Sequence, residues 1–369
     1  MLEFKMKKDE KYFEEISLIE EKYYEIISHF EMNFPKPLNL QEEKKKFFSA
    51  IADDKIYNPF IKYDKKHFDQ TWVNKLKKLK INTNNDIYGF KSLYKKRIKS
   101  KLSEINCHKN WGHPISTKYV KEYRGEPSFF LMLKAKWFCK RYKREKIKFK
   151  TLTPQIAAQR LSDYVYSLTG EQVNIKYEDM TSKANIIQNT LRINPYARFT
   201  SRDIKRLKVH EIGTHYLRYY NGKNSGIKIL ASGTSNYIET EEGLAAVVEE
   251  LTGNSSNAQI FIYAGRVLAT YYAQKLSFYD LFQLLKKYNF KNEDAFSLCY
   301  RAKRNLCDTS LKGGFTKDYV YFSGYFKVKK FIQKNDINDL FIGKITIDDL
   351  QVLKKYIKNH KKEIKTIFD

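Results

Sequence analysis

Apolar side chains recur at helical spacing near the start of the chain. In residues 14–30, "EEISLIEEKYYEIISHF", six apolar or aromatic residues lie at positions that share one face of a helix. The pattern predicts a helical region over residues 1–50, interrupted at Pro35 and Pro37. Residues 72–106 and 128–145 are expected to be helical and basic. The stretch between them is expected to be a loop or a pair of extended strands.

After residue 150 the apolar pattern changes to shorter segments. Thr153 is a predicted N-cap, Pro154 occupies the first helical position, and Gly170 ends this helix. The segments "EQVNIKYED" (171–179) and "NTLRINP" (189–195) alternate apolar and polar residues, as half-buried strands do.

Two further helices are predicted after these strands. The first is capped at Thr200 or Ser201 and is expected to stop at Gly222, and the second ends at Gly253. Helices that alternate with a few short strands indicate an α+β, helix-rich fold.

The charge of the chain raises the question of its partners. Among 369 residues, 69 are Lys or Arg and 42 are Asp or Glu, which gives a formal charge of +27. A basic nucleic-acid-binding protein is one interpretation. The lysines are scattered and no nucleic-acid motif accompanies them, so no specific nucleic acid is expected. A positive field would still attract an acidic peptide or protein.

Cysteine usage and apolar runs indicate the compartment. The four cysteines form no C-x-x-C pair, and they are Cys107, Cys139, Cys299 and Cys307. Free thiols in a reducing compartment are therefore expected. The N-terminus lacks an apolar signal core, and no apolar run approaches 18 residues. We expect a cytoplasmic protein without a membrane partner; the oligomeric state cannot be read from the sequence.

The stretch "KVHEIGTHYLRYY" (208–220) contains two histidines, His210 and His215, with Glu211 directly after the first. Zinc peptidases carry H-E-x-x-H, whose histidines are four residues apart and share one helix face. Five-residue spacing turns the second side chain by roughly 140° on a regular helix. A π-bulge near Gly213 would return both histidines to one face. The alternative is that the two histidines are unrelated side chains of an ordinary helix.

A zinc site of this kind needs a third ligand from another helix. Glu242, 27 residues after His215, is the natural candidate, since its helix is rich in alanine and leucine and can lie close to its neighbour. His210, His215 and Glu242 would leave one coordination position for water, and Glu211 would stand where the general base stands in H-E-x-x-H enzymes.

Several motifs together resemble the HExxxH zinc carboxypeptidases, which include the microtubule-associated tyrosine carboxypeptidases and the bacterial QEGLA-motif proteins described as modulating flavohaemoglobin expression. The resemblance is carried in order by "NPFIKY" (58–63), "TLTPQIAAQRLSDY" (151–164), "INPYARFTSRDIKRLKVHEIGTH" (193–215), "EEGLA" (241–245) and "CDTSLKGGFTKDYVYFSG" (307–324). It implies Zn²⁺ held by His210, His215 and Glu242, with Glu211 catalytic. The glutamine of QEGLA is Glu241 here, which changes the charge beside the site.

The resemblance also implies a division of the chain into three regions. It implies a zincin-like catalytic core over residues 151–330, a mostly helical N-terminal region over 1–150 and a C-terminal helical tail over 331–369. The implied function is a zinc metallocarboxypeptidase that removes a C-terminal residue, with Tyr as a candidate, from a peptide or protein. A zinc-binding regulatory protein without hydrolytic activity is the second alternative, although Glu211 argues against it.

A carboxypeptidase must also bind a terminal carboxylate, which Arg does bidentately. Arg301 and Lys317 are the candidates for this contact. Lys317, Tyr319 and Tyr321 alternate in what is expected to be an extended strand, and either tyrosine could donate to a developing oxyanion. The glycine pair 313–314 would let the backbone approach a ligand closely.

Overall fold

The structure, a computed structural model, describes residues 2–141, 151–180, 182–360 and 364–368. The chain divides into two units: a first unit of residues 1–143 and 260–322, and a second unit of residues 144–259 and 323–369. Each unit therefore combines two separate stretches of sequence. The domain ranges expected from the sequence stay a prediction.

Helices dominate the described part of the chain. The α-helices, in chain order, are α1 (Leu2–Ser28), α2 (Leu40–Ala52), α3 (Gln70–Lys78), α4 (Phe90–Lys109), α5 (Ser116–Arg124), α6 (Phe129–Arg141), α7 (Pro154–Thr169), α8 (Ser201–Leu207), α9 (Leu217–Asn224), α10 (Lys228–Ser232), α11 (Ile238–Leu251), α12 (Asn257–Ala273), α13 (Phe278–Lys287), α14 (Asn292–Lys303), α15 (Val320–Phe331) and α16 (Asp349–His360). A π-helix, Lys208–Tyr216, joins α8 to α9. Two 3₁₀-helices cover Thr316–Tyr319 and Ile337–Phe341.

The strands are short and belong to the second unit. They are β1 (Thr151–Leu152), β2 (Asn174–Tyr177), β3 (Ala184–Ile187), β4 (Thr190–Ile193) and β5 (Phe199–Thr200). β1 pairs with β5, and the second sheet has the order β2-β4-β3, with β4 parallel to β2 and antiparallel to β3. β3 is an edge strand of that sheet. The two alternating segments of the sequence correctly predicted the strands β2 and β4. Of the two, β4 alternates buried and partly buried residues, whereas all four residues of β2 are exposed, so β2 is not the half-buried strand that was expected.

In the first unit, aromatic side chains join α2 to the helices after residue 277. Phe47 lies 4.9–5.4 Å, between ring centroids, from Phe278, Phe282 and Phe296. All four rings are buried, and large aromatic side chains of this kind dominate core energetics. The core of this unit therefore depends on residues far apart in the sequence.

Helix predictions for the first unit hold over most of residues 1–50 and for α6. The helix expected over residues 72–106 is divided into α3 and α4, because residues 79–89 are not helical. The prediction fails between residues 107 and 128. That stretch was expected to be a loop or two strands, but it contains α5. Val120 and Tyr123 of α5 are buried beside Phe315, so tertiary packing fixes a helix whose local sequence is rich in β-formers. Residues 142–145, expected to be helical, lie outside the described residues.

In the second unit, α7 covers the three-stranded sheet. Leu161 and Val165 of α7 share one core with Leu191 and Ile193 of β4 and with Ile212 of the π-helix. This core fixes the π-helix against the sheet.

The predicted ends of α7 and of the following long helix are largely confirmed. Thr153 caps α7, and Gly170 ends it in the left-handed conformation. Thr200 forms a capping box at the start of α8. Gly222 was predicted to stop the long helix, but it lies inside α9, which continues to Asn224. A side chain at this position would overlap the carbonyl of Leu230, which accounts for a glycine there.

The fold class expected from the sequence is confirmed in its coarser form: the chain is helix-rich with small sheets, consistent with α+β. The four cysteines are free thiols, as predicted. No helix in the described part of the chain combines the length and the apolar character that crossing a membrane requires.

Candidate metal centre

The π-helix brings together two histidines that a regular helix would separate. His210 and His215 lie within Lys208–Tyr216, and their ring centroids are 4.8 Å apart. A hydrogen bond from Thr214 Oγ1 to the carbonyl of Val209, five residues earlier, runs along this segment. The predicted π-type distortion near Gly213 is therefore confirmed, and it extends over nine residues.

Glu242 of α11 faces both rings from the neighbouring helix. Its Oε2 lies 3.6 Å from His210 Nε2 and 3.8 Å from His215 Nε2. Three side chains from two helices thus direct their polar atoms towards one point. Glu211 joins the same group, since one ligand atom each of His210, Glu211 and His215 lies within 4.8 Å of the others.

The opposite nitrogen of each imidazole is held by another carboxylate of α11. His210 Nδ1 lies 2.6 Å from Glu249 Oε1, and His215 Nδ1 lies 3.0 Å from Glu241 Oε1. A carboxylate at Nδ1 places the ring proton there and leaves the Nε2 lone pair for a cation. The donor set therefore has the form of a histidine site with its supporting carboxylates.

Glu241, which replaces the glutamine of the QEGLA motif, is neutralised by two cations. Its Oε1 accepts from Lys344 Nζ at 2.8 Å, and its Oε2 accepts from Arg218 Nη1 at 3.0 Å. Burial would raise the pKa of the Glu241 carboxyl, but Lys344, the hydrogen bond from His215, and Arg218 together lower it well below its usual range. The extra negative charge is therefore matched inside the protein.

Arg218 is itself fully buried and tied to the backbone after α15. Its Nε donates to the carbonyl of Leu340 at 2.8 Å, and its Nη2 donates to that of Ile345 at 2.6 Å. Together with Glu241 these acceptors engage the whole guanidinium fork. Arg218 thereby links the candidate metal centre to residues 340–345.

Glu211 is positioned by the edge strand β3. The backbone N–H of Ile186 donates to Glu211 Oε2 at 3.3 Å. The N–H of Ile186 is available for this bond because β3 is an edge strand, which pairs with β4 along one side and with no described strand along the other. This bond orients the carboxylate beside the two histidines.

The charges around His210 favour a cation at this point. Burial would lower the pKa of His210, but hydrogen bonds to Glu242 and Glu249, with the charges of Glu249 and Glu211, raise it to about 10. Several buried carboxylates that converge on two imidazoles require a positive charge, which a proton or a divalent cation supplies. Two imidazole nitrogens and one carboxylate oxygen, with a carboxylate behind each ring, fit Zn²⁺.

Close contact between α11 and α15 sets the position of Glu242. Gly243, the next residue, lies against Gly324 so closely that a Cβ on Gly243 would overlap the Gly324 backbone. The close crossing of these two helices therefore explains why glycine stands at both positions, in "EEGLA" and in "FSG".

The residues predicted to bind the substrate lie in the first unit, and part of that prediction is wrong. Lys317, Tyr319 and Tyr321 were expected to alternate along a strand. They lie in the 3₁₀-helix Thr316–Tyr319 and at the start of α15 instead. Helical geometry turns the three side chains in different directions, so alternation cannot align them.

Arg301 and Tyr319 are engaged within the first unit. Arg301 Nε donates to the buried carboxylate of Asp318, and the hydroxyl of Tyr319 donates to the carbonyl of Arg124 at 2.9 Å. An oxyanion role for Tyr319 would require the loss of this hydrogen bond. The substrate-binding role of the four residues stays a prediction.

The glycine pair allows close approach to the protein itself. A Cβ on Gly314 would overlap the carbonyl of Ala302, and one on Gly313 would lie 2.7 Å from Thr117 Oγ1. Both glycines have positive φ angles. The glycine pair therefore lies closely against α14 and α5, and its approach to a ligand stays a prediction.

Sequence reasoning missed the carboxylates that support the histidines. Glu249 lies seven residues after Glu242, two turns along α11 and on the same face, and this spacing was a usable signal. Lys344 gave no such signal, since only the fold brings it beside residue 241.

Comparison with known proteins leads to the same family as the motifs of the sequence. A family model described as "Microtubule-associated tyrosine carboxypeptidase" matches residues 45–361. "Microtubule-associated tyrosine carboxypeptidase 1" of Homo sapiens is 35% identical over 156 residues, which cover 40% of this chain and 32% of that protein. The protein of the same name from Rattus norvegicus is 34% identical over 155 residues, with the same shares of 40% and 32%. The chain thus matches about a third of the length of these relatives.

The fold and the site define a helix-rich α+β protein with a candidate metal centre of two histidines and two glutamates on adjacent helices. Since the family model matches most of the sequence, the chain belongs to the microtubule-associated tyrosine carboxypeptidase family.

Proposed function

We propose that this chain is a zinc-dependent metallocarboxypeptidase that removes a C-terminal residue, with Tyr as the first candidate, from a peptide or protein. The observation that carries the proposal is the convergence of His210 Nε2 and His215 Nε2 on Glu242 Oε2, at 3.6 and 3.8 Å. Family membership supports the peptidase class, and the names of the relatives suggest the tyrosine. The zincin-like form of the core belongs to the same proposal.

In this proposal His210, His215 and Glu242 hold Zn²⁺. When bound, Zn²⁺ supplies Lewis-acid polarisation of the scissile carbonyl and lowers the pKa of a water molecule. Glu249 and Glu241 keep the two imidazoles in the orientation and tautomer that present Nε2. His210, Glu241 and Glu249 are buried, which limits the access of bulk water to this part of the site.

Glu211 acts as the general base. It takes a proton from the attacking water and passes it to the leaving amine. The hydrogen bond from Ile186 holds Oε2, so we expect Oε1 to carry the proton. This contact fixes the carboxylate at the edge of the three-stranded sheet, where an extended peptide could also lie along β3.

Two substitutions separate metal binding from chemistry. Glu211→Gln is nearly isosteric and cannot accept the proton, so it should keep the metal and lose hydrolysis by about 10²–10⁴-fold or more. His210→Ala should lose metal and hydrolysis together. Asp163→Asn, at an exposed carboxylate of α7, serves as the control and should retain both.

The assay measures zinc content by elemental analysis and cleavage of peptides that end in Tyr or Phe, each with a free or an amidated C-terminus. Amidation removes the terminal charge, so a carboxypeptidase should reject the amidated peptides. Equal cleavage of free and amidated peptides would replace exopeptidase with endopeptidase action. A zinc-loaded protein that cleaves no peptide would favour the regulatory alternative.

A further inference from the structure

The outward face of α6, in the first unit, is apolar where a surface helix is normally polar. Its four large apolar side chains are 43–80% exposed, and they are Phe129, Phe130, Leu133 and Trp137. On a helix these positions lie within roughly 100° of one another, so the four side chains share one face. We call these four residues the α6 face. A contiguous exposed apolar patch of this kind marks an interaction site.

The opposite face of α6 already has its partners within the first unit. Ala135 and Cys139 are buried. The ring of Phe138 lies edge-on to that of Phe322, with ring centroids 5.3 Å apart. The helix is therefore apolar on both faces, and packing within the unit accounts for the inner one only.

Basic side chains border the α6 face. Lys134, Lys140 and Arg141 are exposed, and helical spacing places them on the same half of the helix as the apolar side chains. The guanidinium carbon of Arg141 lies 5.2 Å from the ring centroid of Trp137. Residues 129–141 contain no Asp or Glu. The α6 face is thus apolar at its centre and positively charged at its edges.

This combination selects one kind of partner by charge and shape. A second copy of the chain would bring like charges together across the face, which disfavours self-association there. Phe130, at 80% exposure, projects from the surface instead of lining a groove. A bilayer with anionic phospholipids complements both features, because its headgroups carry negative charge and its interface takes up aromatic side chains.

We propose that α6 is a peripheral membrane-binding element that lies in the surface of a bilayer containing anionic phospholipids. Phe130 and Trp137 enter the boundary between headgroups and acyl chains, and Lys140 and Arg141 extend to the lipid phosphates. The proposal departs from the expected absence of a membrane partner, since that expectation rested on the lack of a long apolar run and surface binding requires none. It concerns the first unit and does not require that the proposed function be correct.

The first test is sedimentation of the full chain with vesicles. One set consists of phosphatidylcholine alone, and in the other roughly a third of the lipid is phosphatidylglycerol. The anionic vesicles should bind the chain at least about tenfold more tightly, because the basic side chains gain a partner of opposite charge only there. Raising NaCl from about 50 to 500 mM should remove most of this difference.

Tryptophan fluorescence shows which face of the chain meets the lipid. The chain has three tryptophans: Trp72 and Trp111 are half-buried elsewhere in the unit, and Trp137 lies on the α6 face. Brominated acyl chains quench only the tryptophans that reach them. Anionic vesicles of brominated lipid should therefore quench the unchanged chain more strongly than Trp137→Phe. This variant keeps an aromatic ring, so it should still sediment with the vesicles.

A substitution tests the apolar part of the face. Phe130→Ser should weaken binding to the anionic vesicles about tenfold, because the exposed ring no longer leaves water on binding. Ile56→Ser is the control, since Ile56 is 74% exposed in the same unit and lies outside α6. It should bind as the unchanged chain does. Circular dichroism establishes that each variant is folded.

A double substitution tests the basic part. Lys140→Gln combined with Arg141→Gln should weaken binding to the anionic vesicles about tenfold. Lys95→Gln combined with Lys99→Gln removes the same charge at two exposed lysines of α4 and should retain most of the affinity. This comparison separates the α6 face from the overall charge of the chain.

Four results would overturn the proposal. They are no binding to the anionic vesicles, equal binding to neutral and anionic vesicles, an unchanged affinity of Phe130→Ser, and equal losses in the two double variants. Quenching that is undiminished in Trp137→Phe would likewise show that another surface meets the lipid. Absence of peptide hydrolysis bears only on the proposed function, since none of these measurements depends on cleavage.

Discussion

The Nδ1 atoms of His210 and His215, which point away from the candidate metal position, lie closer to a carboxylate than the Nε2 atoms that face it. Glu249 lies 2.6 Å from His210 Nδ1 and also 3.2 Å from Arg206 Nη1. Its side chain is 1% exposed, so water cannot readily replace it. Such a carboxylate fixes the ring and increases the basicity of Nε2.

Glu249→Gln should therefore weaken zinc binding by about 10–100-fold without removing a ligand. The amide keeps the volume but is a poorer acceptor for the Nδ1 proton. Competition with a chelating dye measures the affinity, and Asp163→Asn, at an exposed carboxylate of α7, is the control. An affinity equal to that of the unchanged chain would mean that Glu249 is only a structural partner of Arg206.

A second buried carboxylate makes a pH-dependent contribution to the first unit. Glu104 lies 2.6 Å from Lys101 Nζ and 3.7 Å from Arg124 Nη2. Burial would raise its pKa, but Lys101, Arg124 and Arg97 lower it to about 2 from the ordinary 4.5. Because the folded pKa is the lower one, the unfolded state binds the proton first as the pH falls.

The contribution of Glu104 should be present at neutral pH and lost between about pH 4.5 and 2. Urea unfolding at several pH values measures this contribution. Over this window acid should reduce the free energy of unfolding of the unchanged chain by about 3 kcal/mol more than that of Glu104→Gln. Glu122→Gln, an exposed carboxylate near by, should follow the unchanged chain. Parallel curves for the unchanged chain and Glu104→Gln would refute this account.

At the scale of elements, the contact of α11 with α15 holds Glu242 where the histidines need it. Gly243→Ala should cost about 1–3 kcal/mol, although alanine favours a helix, because its Cβ meets the backbone of Gly324 and neither helix can yield locally. Zinc affinity should fall in the same variant, since Glu242 moves with its helix. Thermal unfolding and chelator competition measure the two effects.

Gly213→Ala is the matched comparison within the second unit. Its Cβ would lie 2.5 Å from Ile367 Cδ1, the flexible end of a side chain, rather than against backbone. We expect a smaller loss of stability, which Ile367→Ala should reverse. Equal losses for the two glycine substitutions would show that backbone contact between α11 and α15 is not the decisive factor.

Local patterns predicted the elements whose cause is local. The cap at Thr153 and the strands β2 and β4 follow from neighbouring residues. The π-distortion was inferred from the spacing of His210 and His215, which can share one helix face only if the helix is distorted. The α5 helix and the pairing of Glu241 with Lys344 depend on contacts between distant segments. A single sequence does not encode those contacts as a pattern, and the strand expected at Lys317 failed for the same reason.

At the scale of the whole molecule, the charge of +27 has a kinetic consequence if the proposed activity is correct. An acidic peptide would be drawn to the positive chain, and salt would screen that attraction. Raising NaCl from about 50 to 200 mM should increase KM for an acid-rich peptide several-fold and leave kcat unchanged.

A neutral peptide with the same C-terminal residue is the control, and its KM should not change. An identical salt response for both peptides would show that the charge does not act in substrate attraction. Binding to nonspecific DNA, measured over the same salt range, tests the nucleic-acid alternative.

The ion pair of Glu241 with Lys344 has an evolutionary consequence. A lysine at 344 opposite a glutamine would be a nearly buried charge without its carboxylate, and breaking such a pair costs about 3–5 kcal/mol. Arg218 would still keep its two carbonyl acceptors. Positions 241 and 344 should therefore covary: relatives with glutamine at 241 should lack a cation at 344, and an alignment of the family can check this. A lineage that passed from one motif to the other must have changed both positions within a short interval.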